Sequence, residues 1–156
     1  MSGSDTETSG VKVPPPLYFV AGFLASVGLE AAMPIDRPPL PITLLGAAIG
    51  IAGWLALDGA AMLSFIRART SMIPMKPSSA LVRTGPYRFT RNPMYVGMAA
   101  LYLGLAFALG FIWPLIVLPL VLVAIDRLVI AKEEAYLARR FEQPYRDYME
   151  RVRRWL

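Results

Sequence analysis

GPYRFTRNPMYVG, residues 85–97, runs from a basic, aromatic turn straight into an uncharged hydrophobic stretch. Asn92 is a preferred helix N-cap and Pro93 is favoured at the first helical position, so a helix starts at this junction. Gly85-Pro86 makes a turn that folds the preceding segment back. The helix then runs through 93–110, 18 residues without a charge, which is the length of a membrane-span candidate. The next apolar stretch, 111–130, ends just before Lys132-Glu133-Glu134. Two consecutive spans that cross and return bring both polar clusters to one membrane face. That arrangement builds a polar pocket at the edge of a bilayer.

Composition agrees. Of 156 residues, 56% are hydrophobic and 17% charged, with a mean hydropathy of +0.49. A soluble domain has roughly 45–50% apolar and about 25% charged residues. The length suits one domain. Cysteine and histidine are both absent. Disulfides, thiol nucleophiles, Cys/His zinc sites and a histidine general base are therefore excluded. The net charge of +5 reflects topology rather than nucleic-acid binding, as the placement of the basic residues shows.

Working outward, residues 1–16 are small, polar and end in Pro14-Pro15-Pro16, the composition of a disordered leader. No basic region followed by a cleavable apolar segment is present, so a removable signal peptide is not expected. The first span is 17–33, with Glu30 near its end. A proline-rich turn, 34–41, leads to a second span, 40–66. Gly46 and Gly50 in that span have GxxxG spacing, which either admits a close helix neighbour or reflects chance in a Gly/Ala-rich helix. Residues 67–92 form the one long polar connection. Gly110 and Trp113-Pro114 mark the turn between the third span and the fourth.

Lys and Arg number one in the leader, one in the 34–39 turn, six in 67–92, none near Gly110 and eight in 127–156. With four spans and both termini cytoplasmic, both rich segments fall inside. The fold class expected is an all-α integral membrane protein: about four transmembrane helices plus a C-terminal amphipathic interfacial helix. In that last helix Leu137, Phe141, Tyr145, Tyr148, Val152 and Trp155 form one apolar stripe, and Gln143-Pro144 divides it.

Several residues invite chemistry. The helix start at Asn92 attracts an anionic group, reinforced by Arg83, Arg88 and Arg91, although any helix beside a headgroup layer begins this way. Glu133 and Glu134 could bind ligand hydroxyls or an ammonium, or simply pair with Lys132, Arg139 or nearby arginines. Asp58, ionisable within an apolar span, either contacts substrate or pairs with Arg67 or Arg69. Asp58, Arg91 and Arg127 are the candidates for contacting an acceptor.

Taken together, Leu81-Val82, Gly85-Pro86-Tyr87, Arg91-Asn92-Pro93-Met94-Tyr95-Val96-Gly97, Glu133-Glu134-Ala135-Tyr136-Leu137 and Phe141-Glu142-Gln143-Pro144-Tyr145-Arg146-Asp147-Tyr148 resemble a known pattern in order and spacing. It is that of the isoprenylcysteine carboxyl methyltransferases and the related bacterial phospholipid methyltransferase-like proteins. The resemblance covers about residues 79–152. It implies a membrane-embedded enzyme using S-adenosylmethionine, in a bacterial inner membrane, with 67–156 as the catalytic region behind two N-terminal spans. It implies that Ser79, Ala80, Leu81 and Val82 line the cofactor site largely through backbone, and that Tyr87 adds a wall. Asn92, Pro93, Met94 and Tyr95 close the site at the helix start, and Glu133 contacts the cofactor with Glu134 beside it. No metal is implied.

The chain departs from the pattern at three places: Asn92 replaces a histidine, Glu142 a glycine, and Val129 an arginine that handles a substrate carboxylate. A lipophilic acceptor other than a prenylcysteine carboxylate fits better. The alternative function is a non-enzymatic membrane scaffold that keeps the fold. A transporter is disfavoured by the lack of repeats and of a chain of intramembrane charges.

Overall fold

The computed structural model describes residues 8–74 and 76–156. Five α-helices follow one another: α1 (Pro15–Ala32), α2 (Leu40–Ala68), α3 (Pro93–Leu109), α4 (Trp113–Ile125) and α5 (Ala131–Arg151). A 3₁₀ turn (Gly85–Arg88) precedes α3, and a π turn (Asp126–Ile130) joins α4 to α5 without a break. Helices α1 and α2 and the continuous α4–α5 rod are long and apolar enough to cross a membrane, while α3 is a shorter apolar helix of 17 residues. The all-α membrane architecture is therefore the one expected. The helix boundaries follow local chemistry. Prolines sit in the first turn of α1, α2, α3 and α4, where a missing N–H costs nothing.

Helices α2 and α3 make the most extensive contact, and it depends on glycine. A Cβ on Gly50 would lie 2.5 Å from the Cα of Gly104 and 2.6 Å from the carbonyl oxygen of Ala100, so the two backbones touch. The second glycine of the GxxxG spacing thus serves packing within the chain. On the other side α1 lies along α4. Tyr102 of α3 fills the junction, stacked edge-on by Phe23 at 5.0 Å, with its hydroxyl 3.1 Å from Ser26 Oγ. Leu118, Val121, Ile125, Val129 and Ile130 complete this core. A smaller cluster, Ala61, Val82 and Tyr87, lies under the 67–92 connection.

At the end remote from that connection, the Glu30 carboxylate accepts the N–H groups of Ile112 (3.3 Å) and Trp113 (3.4 Å) at the start of α4, and that of Ile35 (3.4 Å). It supplies partners for orphan N-terminal donors, a structural duty. The opposite end carries the clusters from both sides of the α3–α4 hairpin. Tyr95 on α3 reaches Glu133 on α5, and Arg91 reaches Glu134, so the hairpin returns both clusters to one level.

The expected leader falls partly outside the described residues, at 1–7. Within the rest, Ser9 donates to the Pro74 carbonyl at 2.6 Å and Val11 is buried, so this stretch is packed onto the 67–92 connection. Helix α5 is amphipathic as expected. Its tyrosines are turned inward: Tyr136, Tyr145 and Tyr148 are buried, and the hydroxyls of Tyr136 and Tyr148 find backbone partners there. Near its middle Glu142 has φ 45° and ψ −123°, so the division falls just ahead of Pro144.

Candidate functional site

A cavity of about 440 Å³ opens between the 67–92 connection, the start of α3 and the first turns of α5. Its floor is set by the extended segment 78–82. Thr70 Oγ1 accepts the N–H groups of Ser79 (2.9 Å) and Ala80 (3.3 Å), while the Ser78 N–H donates to the Tyr136 hydroxyl at 2.9 Å. The segment is thereby pinned between the end of α2 and α5. Ala80, Leu81 and Val82 line the cavity. Ser79 does not; its hydroxyl turns back to the Arg69 carbonyl, and Ser78 lines the cavity in its place.

Tyr87 forms a wall, held edge-on against Phe65 at 5.5 Å, and its carbonyl accepts the Tyr148 hydroxyl at 2.7 Å. Asn92, Met94 and Tyr95 line the helix start, and Pro93 is buried behind them. Asn92 occupies the N-cap position without capping through its side chain. Its Nδ2 donates instead to the Arg154 carbonyl at 2.9 Å. The N-cap bond expected from sequence is displaced by a contact with the chain's far end, which the local sequence cannot announce.

The carboxylates differ in their surroundings. Glu134 is neutralised: Arg91 Nη2 lies 3.1 Å from Oε1, and Arg154 donates to both of its oxygens. Among the described residues Glu133 has no cationic partner, and the Tyr95 hydroxyl, 3.0 Å from each of its oxygens, is its one hydrogen-bond donor. Burial raises its carboxyl to about 7; the Tyr95 hydrogen bond pulls the other way, and the Glu134 charge adds to the rise. Burial also raises the phenols of Tyr87, Tyr145 and Tyr148, so they stay protonated at neutral pH. Arg91, its side chain 12% exposed, lines the cavity and keeps a buried Nε with no partner among the described residues.

Two acceptor candidates lie elsewhere. The Arg127 side chain, on the π turn, is 80% exposed and does not line the cavity; among the described residues its one ion-pair contact is a long 3.9 Å approach to Asp126. Asp58 does not line the cavity either. Its Oδ2 is buried against Gly97, where a Cβ would come within 1.7 Å of it, and has no hydrogen-bond partner among the described residues. No ion pair joins Asp58 to Arg67 or Arg69 among the described residues.

Several cavity residues escaped the sequence reading. Tyr136, Tyr145 and Tyr148 stood inside the quoted motifs, and the Tyr-x-x-Tyr spacing was their signal. Pro14, Pro15 and Pro16 line the mouth although they read as leader.

The arrangement offers an uncompensated carboxylate, an unpartnered guanidinium nitrogen, aromatic faces and an apolar approach through Phe65, Met94 and Met98. It suits a ligand carrying both signs of charge. No curated protein and no solved structure matches the chain. The phospholipid methyltransferase family does: its sequence model matches residues 42–144, which include the Gly50 packing site, most of the cavity lining and Glu133, and the chain therefore belongs to this family of membrane methyltransferases.

Proposed function

We propose that this chain is an integral membrane methyltransferase that draws its methyl group from S-adenosylmethionine bound in the cavity and delivers it to a lipophilic acceptor entering from the bilayer. Residues 67–156 form the catalytic region, and both termini face the cytoplasm, in a bacterial inner membrane. The observation that carries this reading is the pairing of opposite needs in one cavity. Glu133 lacks a cation, and Arg91 Nε lacks an acceptor. An amino-acid end with ammonium and carboxylate satisfies both, and an unpaired buried group is expensive to leave so. A cavity of about 440 Å³ falls within the range of small-molecule sites.

The residues divide the labour simply. Glu133 would hold the positive end of the cofactor, with Tyr95 fixing the carboxylate's direction. Arg91 would take the carboxylate. The backbone of 80–82 supplies hydrogen-bonding groups for a nucleoside, and the tyrosine rings supply faces for its base and for a cationic sulfur. Bound there, the cofactor would supply an electrophilic methyl group; an acceptor lone pair would bond to its carbon in line as the methyl–sulfur bond breaks and the neutral thioether leaves. Such a displacement needs orientation more than acid–base help, and orientation is worth roughly 7–11 kcal/mol. A site without histidine meets that requirement. Phe65, Met94 and Met98 give the acceptor an apolar approach that excludes water.

Titration of the detergent-solubilised protein with S-adenosylhomocysteine tests the reading. Saturable binding is expected, weakened at least tenfold by Glu133→Ala. No binding by the unaltered protein overturns the proposal and leaves a scaffold that keeps the fold.

A further inference from the structure

Arg154 does not line the cavity, yet it joins both sides of its rim. Its guanidinium donates to Glu134 through Nε and Nη2, and through Nη1 to Asp126 at 3.2 Å. Its carbonyl accepts Asn92 Nδ2 at 2.9 Å and the Thr90 hydroxyl at 3.0 Å. The neighbouring Arg153 carbonyl accepts the Arg91 N–H at 2.8 Å, and Trp155 Nε1 donates to Asp126 at 3.2 Å. Residues 153–155 thus tie the start of α3 to the π turn and the first turn of α5.

We infer that Arg154 is a positioning residue for the methyl-donor site: it holds Glu134 so that Arg91 presents Nε to the cavity. The inference rests on the proposed methyltransferase reading. Its basis is the division of Glu134, whose Oε1 accepts from Arg91 Nη2 at 3.1 Å and from Arg154 Nε at 3.2 Å. With Arg154 in place, Glu134 engages Arg91 through one nitrogen. Without it, Glu134 is free to close a two-pronged pair on Arg91, the geometry guanidinium and carboxylate prefer. Arg91 would then be withdrawn from the ligand.

Charge changes in step. Asp126 and Glu134 pair with Arg154, and Glu134 also with Arg91, while Glu133 lies beside Glu134 with the neutral phenols of Tyr87 and Tyr145 near it. The charges of Asp126 and Glu134 are balanced by those of Arg91 and Arg154; removing Arg154 leaves one excess carboxylate charge beside Glu133, which favours its protonated form.

Arg154→Gln and Arg154→Lys test this against the unaltered protein. Arg154→Gln is expected to raise the KM for S-adenosylmethionine about tenfold, leave the acceptor KM unchanged, and move the pH midpoint of donor binding upward. Arg154→Lys restores the charge but, as a single point of donation, cannot reproduce the fork that grips Glu134 through two nitrogens while a third reaches Asp126. It should return the pH midpoint and leave the donor KM high. A donor-free arm uses hydrogen exchange: amides 90–92 should exchange at least tenfold faster in Arg154→Gln while those of α2 and α3 hold. If the unaltered protein binds the donor and both variants match it, the inference is overturned. If the unaltered protein binds no donor, the methyltransferase reading falls. The exchange arm then decides alone: unchanged protection at 90–92 removes the tie, and lost protection sustains it.

Discussion

Glu133 is the residue on which the proposed donor site depends, and its ionisation sets a pH signature. Its carboxyl is raised from 4.5 to about 7 by burial, so between those values the folded apo protein carries a proton that the unfolded chain lacks. The stability this contributes is complete below 4.5 and is lost as the pH rises through about 7. Detergent-solubilised apo protein should therefore melt at a lower temperature at pH about 8 than at about 5, and Glu133→Gln should flatten that slope. Donor binding has the opposite sign. A cationic ligand needs the ionised carboxylate, so affinity should climb roughly tenfold per pH unit up to about 7 and then level off. Calorimetric titration across that range checks it.

Glu142 holds the second residue-scale prediction. Its φ of 45° with ψ −123° belongs to glycine's territory, where other residues carry about 1–3 kcal/mol of strain. Glu142→Gly should stabilise the protein by about 1 kcal/mol in reversible unfolding, whereas Glu142→Ala should not. The mismatch at this position was legible in the sequence as a departure from the related pattern. Its backbone meaning was not, because it depends on how α5 bends over the cavity.

Among the elements, the α2–α3 pair has the least tolerance. Gly50→Ala forces a methyl to within 2.5 Å of the Gly104 backbone, so the helices must separate. A cost of about 1–3 kcal/mol is expected, read as a lower melting temperature. Gly59→Ala on the same helix meets nothing within 4 Å and should be neutral. The GxxxG spacing pointed to a helix neighbour without saying which. Sequence periodicity exposes a small-residue face, but its partner is settled by tertiary packing. The π turn was likewise hidden. It inserts no distinctive residue type, yet it buries Val129 and turns Arg127 outward.

Across the whole molecule, the apolar helices and the hairpin return could be read from hydropathy, because membrane insertion acts on that property; among the described residues three helices are long and apolar enough to cross a membrane and α3 is shorter, where four spans were expected. The two-cluster cavity followed from that topology. What stayed hidden was contact across long chain separations, such as Ser9 with Pro74 and Asn92 with Arg154. The absence of cysteine makes topology simple to test. Single cysteines at Gly10 and Leu156 should both label from the cytoplasmic side, and one at Asp36 only from the other. Opposite-side labelling of Gly10 and Leu156 would refute the four-crossing arrangement.

The tie between Asn92 and Arg154 spans 62 positions and encloses the α3–α4 hairpin. On the ribosome, therefore, the α3–α4 hairpin must be made before its two flanks can be tied together, so this side of the pocket closes only after residues 93–153 have been synthesised.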